Sequence, residues 1–475
     1  MTEHLLITGG TVITLDATRR VIERGAVAIA GTRIAAVGEA DVLAQAYPDA
    51  RRIDATGHAV LPGLIDGHGH AGHGLIKTLA DGDSTVWSQA CRTVYTTASP
   101  PAFWRAEARL AALERLMFGV TTGVSLLGGG DSVMRTDRPD HAIAHCDGVA
   151  EIGIRDVVAV GPTRPPHPWH YAEWDGDVRT EHEVEFAQQL ATIEAVIASC
   201  HGRGRQIVAT LMPVFREAGA PAAVVDEVAR QGAAVRALGR RHGTLFHQDG
   251  HGSGTLDMAD RLFGLLGPDA TMSHCIDLTE ADIDALARTG AHVVHNPSAI
   301  ASVRGYCPVP ALQARGVNVL LGSDGTAPDR SGDMFRHMFV CRRIHQREHR
   351  DERLMPPHRV LEMATIDAAR GLGLGDELGS LEAGKRADLI TVDLRKPHLA
   401  PHNMPVWRVV CFANGADVDT VIVDGQVLMQ GRRVAHVDPA EVLAAAQAET
   451  EAMLRRSGLT ALLDSPWPGV LARGG

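Results

Sequence analysis

Between residues 61 and 375 the chain alternates short apolar runs with longer stretches of helical periodicity, eight times over. The runs are LPGLIDGHG (61–69), VTTGVSLL (120–127), IRDVVAVG (154–161), QIVATLMPV (206–214), GTLFHQD (243–249), ATMSHC (270–275), GAHVVHNP (290–297) and VNVLLGSDG (317–325). Apolar runs of this kind, bounded by turn residues, read as strands covered on both faces. Segments between them, such as AAVVDEVARQGAAVRALGRRHG and TEADIDALARTG, carry the spacing of amphipathic helices. Such alternation calls for a parallel sheet, and eight repeats predict an α/β fold, a (β/α)₈ TIM barrel. An open, doubly wound sheet is the competing architecture. It would require a G-x-G-x-x-G phosphate loop between a strand and a helix, whereas the spacing at Gly67 to Gly72 carries His68 and His70 and we read no helix opening there. Gly128-Gly129-Gly130 follows a strand but lacks that spacing, and reads as a flexible loop.

The flanks are different. HLLITGGTVITLD and GAVAIAGTRIAAVG near the start, and ADLITVDL and DTVIVDGQVLMQGRRV near the end, read as short strands broken by glycines. Asp424-Gly425 is a two-residue hairpin signal. We expect residues 1–60 and 376–435 to pair into one small composite domain, a β-sandwich built from both chain termini. Residues 61–375 then form the barrel. Residues 436–475 form a C-terminal helical appendage that covers the barrel or helps a partner subunit dock, so a homo-oligomer (dimer or higher) is expected.

The formal net charge is −11 and no long basic run occurs, which argues against nucleic-acid and anionic-membrane binding. No apolar stretch reaches the roughly 20 residues of a membrane span. The seven cysteines are scattered, without a C-x-x-C pair, as in a chain with reduced thiols. MTEHLLITGG does not look like a signal peptide. A cytoplasmic protein acting on a small molecule is the expectation.

His68 and His70 close the first apolar run. Residues i and i+2 of a strand point the same way, so both imidazoles project from its end. Two neutral imidazoles are half of a transition-metal site. Barrel enzymes place their chemistry at the C-terminal ends of the strands. The other runs end near His247, His274, His295 and Asp324.

With PGLIDGHGH, SHCIDLTEADIDALARTGAHVVHNP, VNVLLGSDG, ATIDAARGLGL, GSLEAGKRADLITVD and VDGQVL, the chain resembles the metal-dependent amidohydrolase superfamily. It is similar in particular to the triazine-hydrolase and aminohydrolase branch, which includes chlorohydrolases and deaminases. The likeness runs from about residue 4 to residue 435. It implies that His68, His70, His247 and Asp324 ligate one divalent metal ion, zinc by default, with iron or cobalt as alternatives. It also implies that His274 is catalytic without being a primary ligand, and that Asp324 carries the proton of an activated water to the leaving nitrogen.

Two absences narrow the reading. Binuclear relatives bridge their metals with a carboxylated lysine from the fourth strand. The three lysines here, Lys77, Lys385 and Lys396, lie elsewhere, and Glu217 reads as a solvated residue. Ring deaminases of this branch carry a glutamate three residues after the fifth-strand histidine. That position is Gly250, and Asp249, one residue early, would face away on a continuing strand.

The expected activity is therefore hydrolysis of a C–N bond in an amide, urea or carbamate of a small, partly apolar molecule. Phenylurea and thiocarbamate hydrolases are the comparison. The alternative is a deaminase or dechlorinase of a purine, pterin or triazine ring in which Asp249 replaces the glutamate. A non-catalytic scaffold is a remote third reading. For the substrate pocket the candidates are Trp87, Arg164, Trp169, Gln248, Asp249 and His295. Tyr171 and Trp174 lie in the same aromatic loop, 162–175.

Overall fold

The computed structural model describes residues 4–80, 83–128, 135–299 and 305–463. The chain opens with five strands: β1 (His4–Ile13), β2 (Val21–Ala30), β3 (Arg33–Glu39), β4 (Arg51–Asp54) and β5 (His58–Pro62). The last four are β17 (Leu389–Asp393), β18 (Val418–Val423), β19 (Gln426–Gln430) and β20 (Arg433–Val434). Together they make one nine-stranded sheet ordered β20-β19-β18-β17-β5-β1-β2-β3, with β4 beside β1. The two ends of the chain meet where β17 runs antiparallel to β5, from Leu389 opposite Pro62 to Asp393 opposite His58. The side chains of Leu5, Ile7, Val12, Val27, Ile29, Val60, Leu389 and Ile422 form a core between them. Asp424 (φ 48) and Gly425 (φ 74) are both left-handed and turn the β18–β19 hairpin, as their sequence suggests.

The barrel strands are β6 (Leu64–Asp66) with its short extension β7 (His70–Ala71), β8 (Val120–Leu127), β9 (Arg155–Val160), β12 (Gln206–Leu211), β13 (Leu245–Gln248), β14 (Ala270–Ser273), β15 (His292–His295) and β16 (Val319–Leu321). Each except the extension β7 falls within one of the eight apolar runs. They pair in parallel in chain order from β6 to β16. The two ends of this sheet are joined by Gly67 N–H donating to Leu321 O (2.9 Å) and Asp324 N–H donating to His68 O (2.9 Å). Gly67 has to be glycine, because a Cβ there would sit 2.5 Å from Leu320 Cδ1 and 2.9 Å from Leu321 O. The helices Ala222–His242 and Glu280–Thr289 occupy the stretches read as amphipathic, the second opened by a Thr279–Asp282 capping box.

The segment 162–175 differs from its reading as a loop. Trp169–Asp175 is β10, paired antiparallel with β11 (Val178–Val184) from Trp169 opposite Val184 to Asp175 opposite Val178. The hairpin is anchored by buried Arg135, whose guanidinium meets Asp137 (3.1 Å) and Glu173 (2.6 Å) and lies over the Tyr171 ring. The C-terminal helix Pro439–Ser457 packs along the helix Pro101–Met117, with Glu441 on Arg109 (3.2 Å), and Thr450 Oγ1 reaches Leu75 O (3.4 Å). It therefore covers the flank of the barrel beside the segment that follows His70. The tail beyond residue 463, and Gly129 and Gly130 of the glycine run, lie outside the described residues. No helix among the described residues is long and apolar enough to cross a membrane.

Asp424 joins the sheet to the bottom of the barrel. Its carboxylate meets Arg155 (3.0 Å), Arg205 (2.8 Å) and Arg386 (3.0 Å). Burial alone would raise its pKa, but the three guanidiniums outweigh it and hold the group at about 2. The folded-state pKa is thus below the ordinary 3.8. The stabilisation is complete above that value and is lost as pH falls toward about 2. Asp424→Asn is expected to cost about 1–2 kcal/mol, because Arg155 keeps Asp388 and Arg386 keeps Glu377 while Arg205 loses its carboxylate. The loss is expected in denaturant melts at pH 7 and shrinks toward zero as both proteins approach pH 2.

Candidate active site

Asp66, fully buried at the end of β6, fixes the frame. It accepts from Arg115 Nε (3.1 Å) and Nη2 (2.9 Å), and from Ser323 N (2.8 Å) and Oγ (2.8 Å). The ends of the first and last barrel strands are thereby tied together, so His68, His70 and Asp324 ride on one framework. Asp324 (φ 62) and His274 (φ 70) both hold left-handed backbone, which costs a non-glycine residue on the order of 1–2 kcal/mol. The bond from Asp324 N–H to His68 O, and one from His274 N–H to Val294 O (3.0 Å), hold them there.

Five of the sequence candidates converge at the top of the barrel, all nearly excluded from solvent. His70 Nε2 lies 3.1 Å from Asp324 Oδ1, and His68 Nε2 lies 3.6 Å from the same atom. His274 Nε2 is 4.0 Å from Asp324 Oδ2. His247 Nε2 approaches His68 from the other side, 2.9 Å from Nδ1, with the two rings stacked at 5.0 Å. The tautomers are set from outside. His70 Nδ1–H donates to Gly128 O (2.8 Å), and His247 Nδ1–H donates to Thr271 Oγ1 (2.6 Å). His70 therefore turns its Nε2 lone pair toward Asp324 and Asp249, as metal-ligating histidines do, whereas that of His247 faces His68 Nδ1.

Asp249 is where the structure corrects the sequence. β13 stops at Gln248, and the chain turns at Gly250 (φ +91), so Asp249 faces inward instead of away. Its carboxylate lies 3.3 Å from His68 Nε2, 3.5 Å from His70 Nε2 and 3.2 Å from His274 Nε2. A side chain at position 250 would be strained by the left-handed backbone (φ +91) and would have to displace the end of Arg216, 2.4 Å from a Cβ placed there. Burial opposes ionisation of both Asp249 and Asp324. For Asp249 the imidazoles of His68 and His274 outweigh it, and for Asp324 Arg330 and the histidines do, so both carboxyls stay well below the usual range. Burial would likewise keep His68 neutral, yet Asp249 and Asp324 raise it to about 9. His247, buried beside His68, is pushed well below the ordinary histidine value.

The donor set fits a divalent cation. Two carboxylates and inward lone pairs crowd one point, and His68 Nε2 and Asp249 Oδ1 face each other without forming a hydrogen bond. Histidine nitrogens with a carboxylate suit zinc, iron or cobalt. His68, His70 and Asp249 each offer a ligand atom to one point, as do His68, His274 and Asp324.

The remaining candidates divide. Trp87 packs edge-on to His73 (5.4 Å), and His73 packs on His70 (4.6 Å), so Trp87 lies one ring removed from the centre. Arg164 donates to Val214 O (2.8 Å) and accepts at its own carbonyl from Trp169 Nε1 (2.7 Å). Trp174 donates to Thr97 O (2.6 Å), and Tyr171 is buried under the hairpin. Gln248 uses its amide on Met212 O (3.1 Å) and Pro213 O (3.4 Å), which splints the ends of β12 and β13. His295 is buried beside His345, with ring centroids 5.1 Å apart. Glu217 is exposed, and Lys77 pairs with Glu114 (2.5 Å), so neither supplies a bridge. Sequence reasoning missed His73, which Tyr95 holds by its hydroxyl (2.9 Å), and Arg330, 3.5 Å from Asp324 Oδ2. The only signal was their closeness in sequence to His70 and Asp324.

The profile of the Amidohydrolase family matches residues 59–428. A short profile, the bacterial imidazolonepropionase-like composite domain, matches residues 25–50. The chain is 33% identical over 455 residues to a 5-methylthioadenosine/S-adenosylhomocysteine deaminase of Syntrophobacter fumaroxidans, covering 92% of this chain and 96% of the relative. It is 30% identical over 457 residues to a 5'-deoxyadenosine deaminase of Methanosarcina mazei, covering 95% and 99%. Among solved structures, an adenosine deaminase from Xanthomonas campestris with bound zinc has the same fold, with a TM-score of 0.80 at 24% identity over 95% of this chain and 98% of that one. Atrazine chlorohydrolase from Arthrobacter aurescens superposes with a TM-score of 0.77 at 22% identity over 94% and 100%. The barrel, the composite sheet and these matches agree: the chain belongs to the amidohydrolase family and is a hydrolase of C–N bonds other than peptide bonds.

Proposed function

We propose that the chain is an aminohydrolase that replaces the exocyclic amine of a purine ring by oxygen, with a 5'-modified adenosine as the substrate class. The observation that carries this reading is Asp249 turned inward against His68 and His274. It supplies the second carboxylate that ring deamination needs, from one residue earlier than the glutamate of similar deaminases. The names of the relatives, for methylthioadenosine, S-adenosylhomocysteine and 5'-deoxyadenosine, support the substrate class.

We assign His68, His70, His247 and Asp324 to one divalent cation, zinc by preference. When bound, the cation supplies Lewis acidity that brings the pKa of water down to about 7. Asp324 takes one proton from the attacking water and passes it to the departing amine, which leaves as ammonia. His274 and Asp249 hold one proton between Nε2 and Oδ1 and give it to the ring nitrogen beside the attacked carbon. The hydroxyl proton of the tetrahedral carbon returns to that pair, so the site ends as it began. Trp87 stands near the mouth as a wall for the apolar part of the substrate.

Asp249→Asn is expected to lower kcat/KM on such a substrate by about 10²–10⁴-fold while leaving the metal content unchanged. Steady-state assays with parallel metal analysis check it. A specific observation favours a second reading: with glycine at 250, an acyclic amide, urea or carbamate would need no ring protonation. A substrate panel separates the two. Ammonia release from 5'-modified adenosines is the expected result, and amine release from anilides or phenylureas, with adenosines inert, would overturn the deaminase reading.

A further inference from the structure

A second buried cluster of ligand-type side chains lies on the helix Met334–His349. Cys341 and His345 are four residues apart and share one helical face. His295, at the end of β15, packs against them. All three are fully buried, and one ligand atom from each lies within 4.8 Å of the others. Asp137, His141 and Glu173 also cluster, but Arg135 already supplies their positive charge.

An ordinary core histidine has its ring nitrogens hydrogen-bonded. Here, among the described residues, neither nitrogen of His295 has a partner, nor does Nε2 of His345. A buried polar atom left without a partner costs about 1–3 kcal/mol. The other side of His345 is partnered. Its Nδ1 lies 2.8 Å from the Tyr306 oxygen, which also lies 2.9 Å from His349 Nε2; when the Tyr306 hydroxyl donates to His349, it accepts from His345 Nδ1–H. In that arrangement the lone pair of His345 is on Nε2, as in a ligating histidine with an outer-shell partner. The Tyr306 oxygen also links the buried cluster to His349 at the surface. Burial pushes the Cys341 thiol up, and the nearby Arg342 guanidinium opposes this only in part.

We propose that His295, Cys341 and His345 form a second transition-metal site, separate from the catalytic centre. It would take zinc or a similar borderline-soft divalent cation through two imidazole nitrogens and one thiolate, with water in the fourth position. Two nitrogens and a sulfur select such ions over calcium or magnesium. Bond lengths of about 2.0–2.3 Å require the three side chains to draw together around the ion. The thiol proton goes to solvent on binding, and no redox step is involved.

The test is a titration of the purified, metal-depleted full chain with Co²⁺. Two equivalents are expected to bind, and one of them to raise a thiolate-to-cobalt charge-transfer absorption in the near ultraviolet. Cys341→Ser and His345→Gln are each expected to abolish that absorption and one equivalent while keeping the other. His247→Ala is expected to keep the absorption and lose the other equivalent, so this site and the catalytic one fail independently. Saturation of the unmutated protein without thiolate absorption would overturn the proposal, whatever the variants do. Absorption that persists in Cys341→Ser would overturn it equally.

Discussion

Replacing His247 with alanine is expected to strip the catalytic cation from the protein and to abolish turnover. The Thr271 hydroxyl holds His247 Nδ1 at 2.6 Å, so Nε2, which lies 2.9 Å from His68 Nδ1, is the ring atom left to ligate. Losing only such an outer-shell contact typically costs about 10–100-fold in metal affinity. Losing the ligand itself is expected to cost more, enough for dialysis to empty the site. Alanine also opens a cavity beside His68, so stability has to be read in parallel. His247→Gln keeps most of the volume and is expected to lose the metal as well. Metal analysis after dialysis, with melting curves for both variants, checks the claim. A His247→Ala protein that keeps its catalytic metal and activity would remove His247 from the ligand set.

His274→Ala is expected to behave in the opposite way, keeping metal and losing chemistry. His274 sits 3.2 Å from Asp249 but 4.0 Å from Asp324, so its nearer carboxylate is Asp249, its partner in the proposed protonation of the ring nitrogen. Its left-handed backbone is held by a main-chain bond to Val294, which alanine retains. Loss of a general acid–base group lowers rates by about 10²–10⁴-fold. A fall of that size in kcat, with KM changed far less, is expected in steady-state assays at unchanged metal content. A variant that turns over at the unmutated rate would refute the role.

The barrel was legible because its strands are buried on both faces. A run such as Val120–Leu127 must be apolar or small throughout, and that pattern survives without tertiary information. The composite sheet was legible from its turns, Asp424-Gly425 above all. The β10–β11 hairpin was not. Its second strand, VRTEHEV, is largely exposed and polar, and its first is held by buried Arg135 from a distant segment. Nothing local distinguishes it from a loop. The histidines at 68, 70, 247 and 274 and Asp324 were legible because strand ends fix where they point. Asp249 was misjudged for the same reason. Strand alternation turns it outward only if β13 continues, and β13 ends one residue sooner, with Gly250 redirecting the chain. His73 and Arg330 act on the site through packing and charge at close range, which spacing alone does not reveal.

His68 offers two faces, Nδ1 toward His247 and Nε2 toward Asp249 and Asp324. The ligand assignment needs one cation within bonding distance of His68, His70, His247 and Asp324 together. Anomalous diffraction from crystals of the zinc-loaded protein measures this directly. The expected result is a peak at the top of the barrel, about 2.0–2.2 Å from a nitrogen of each of the three histidines and an oxygen of Asp324. A peak held by His68, His70 and Asp249, with His247 out of reach, would contradict it.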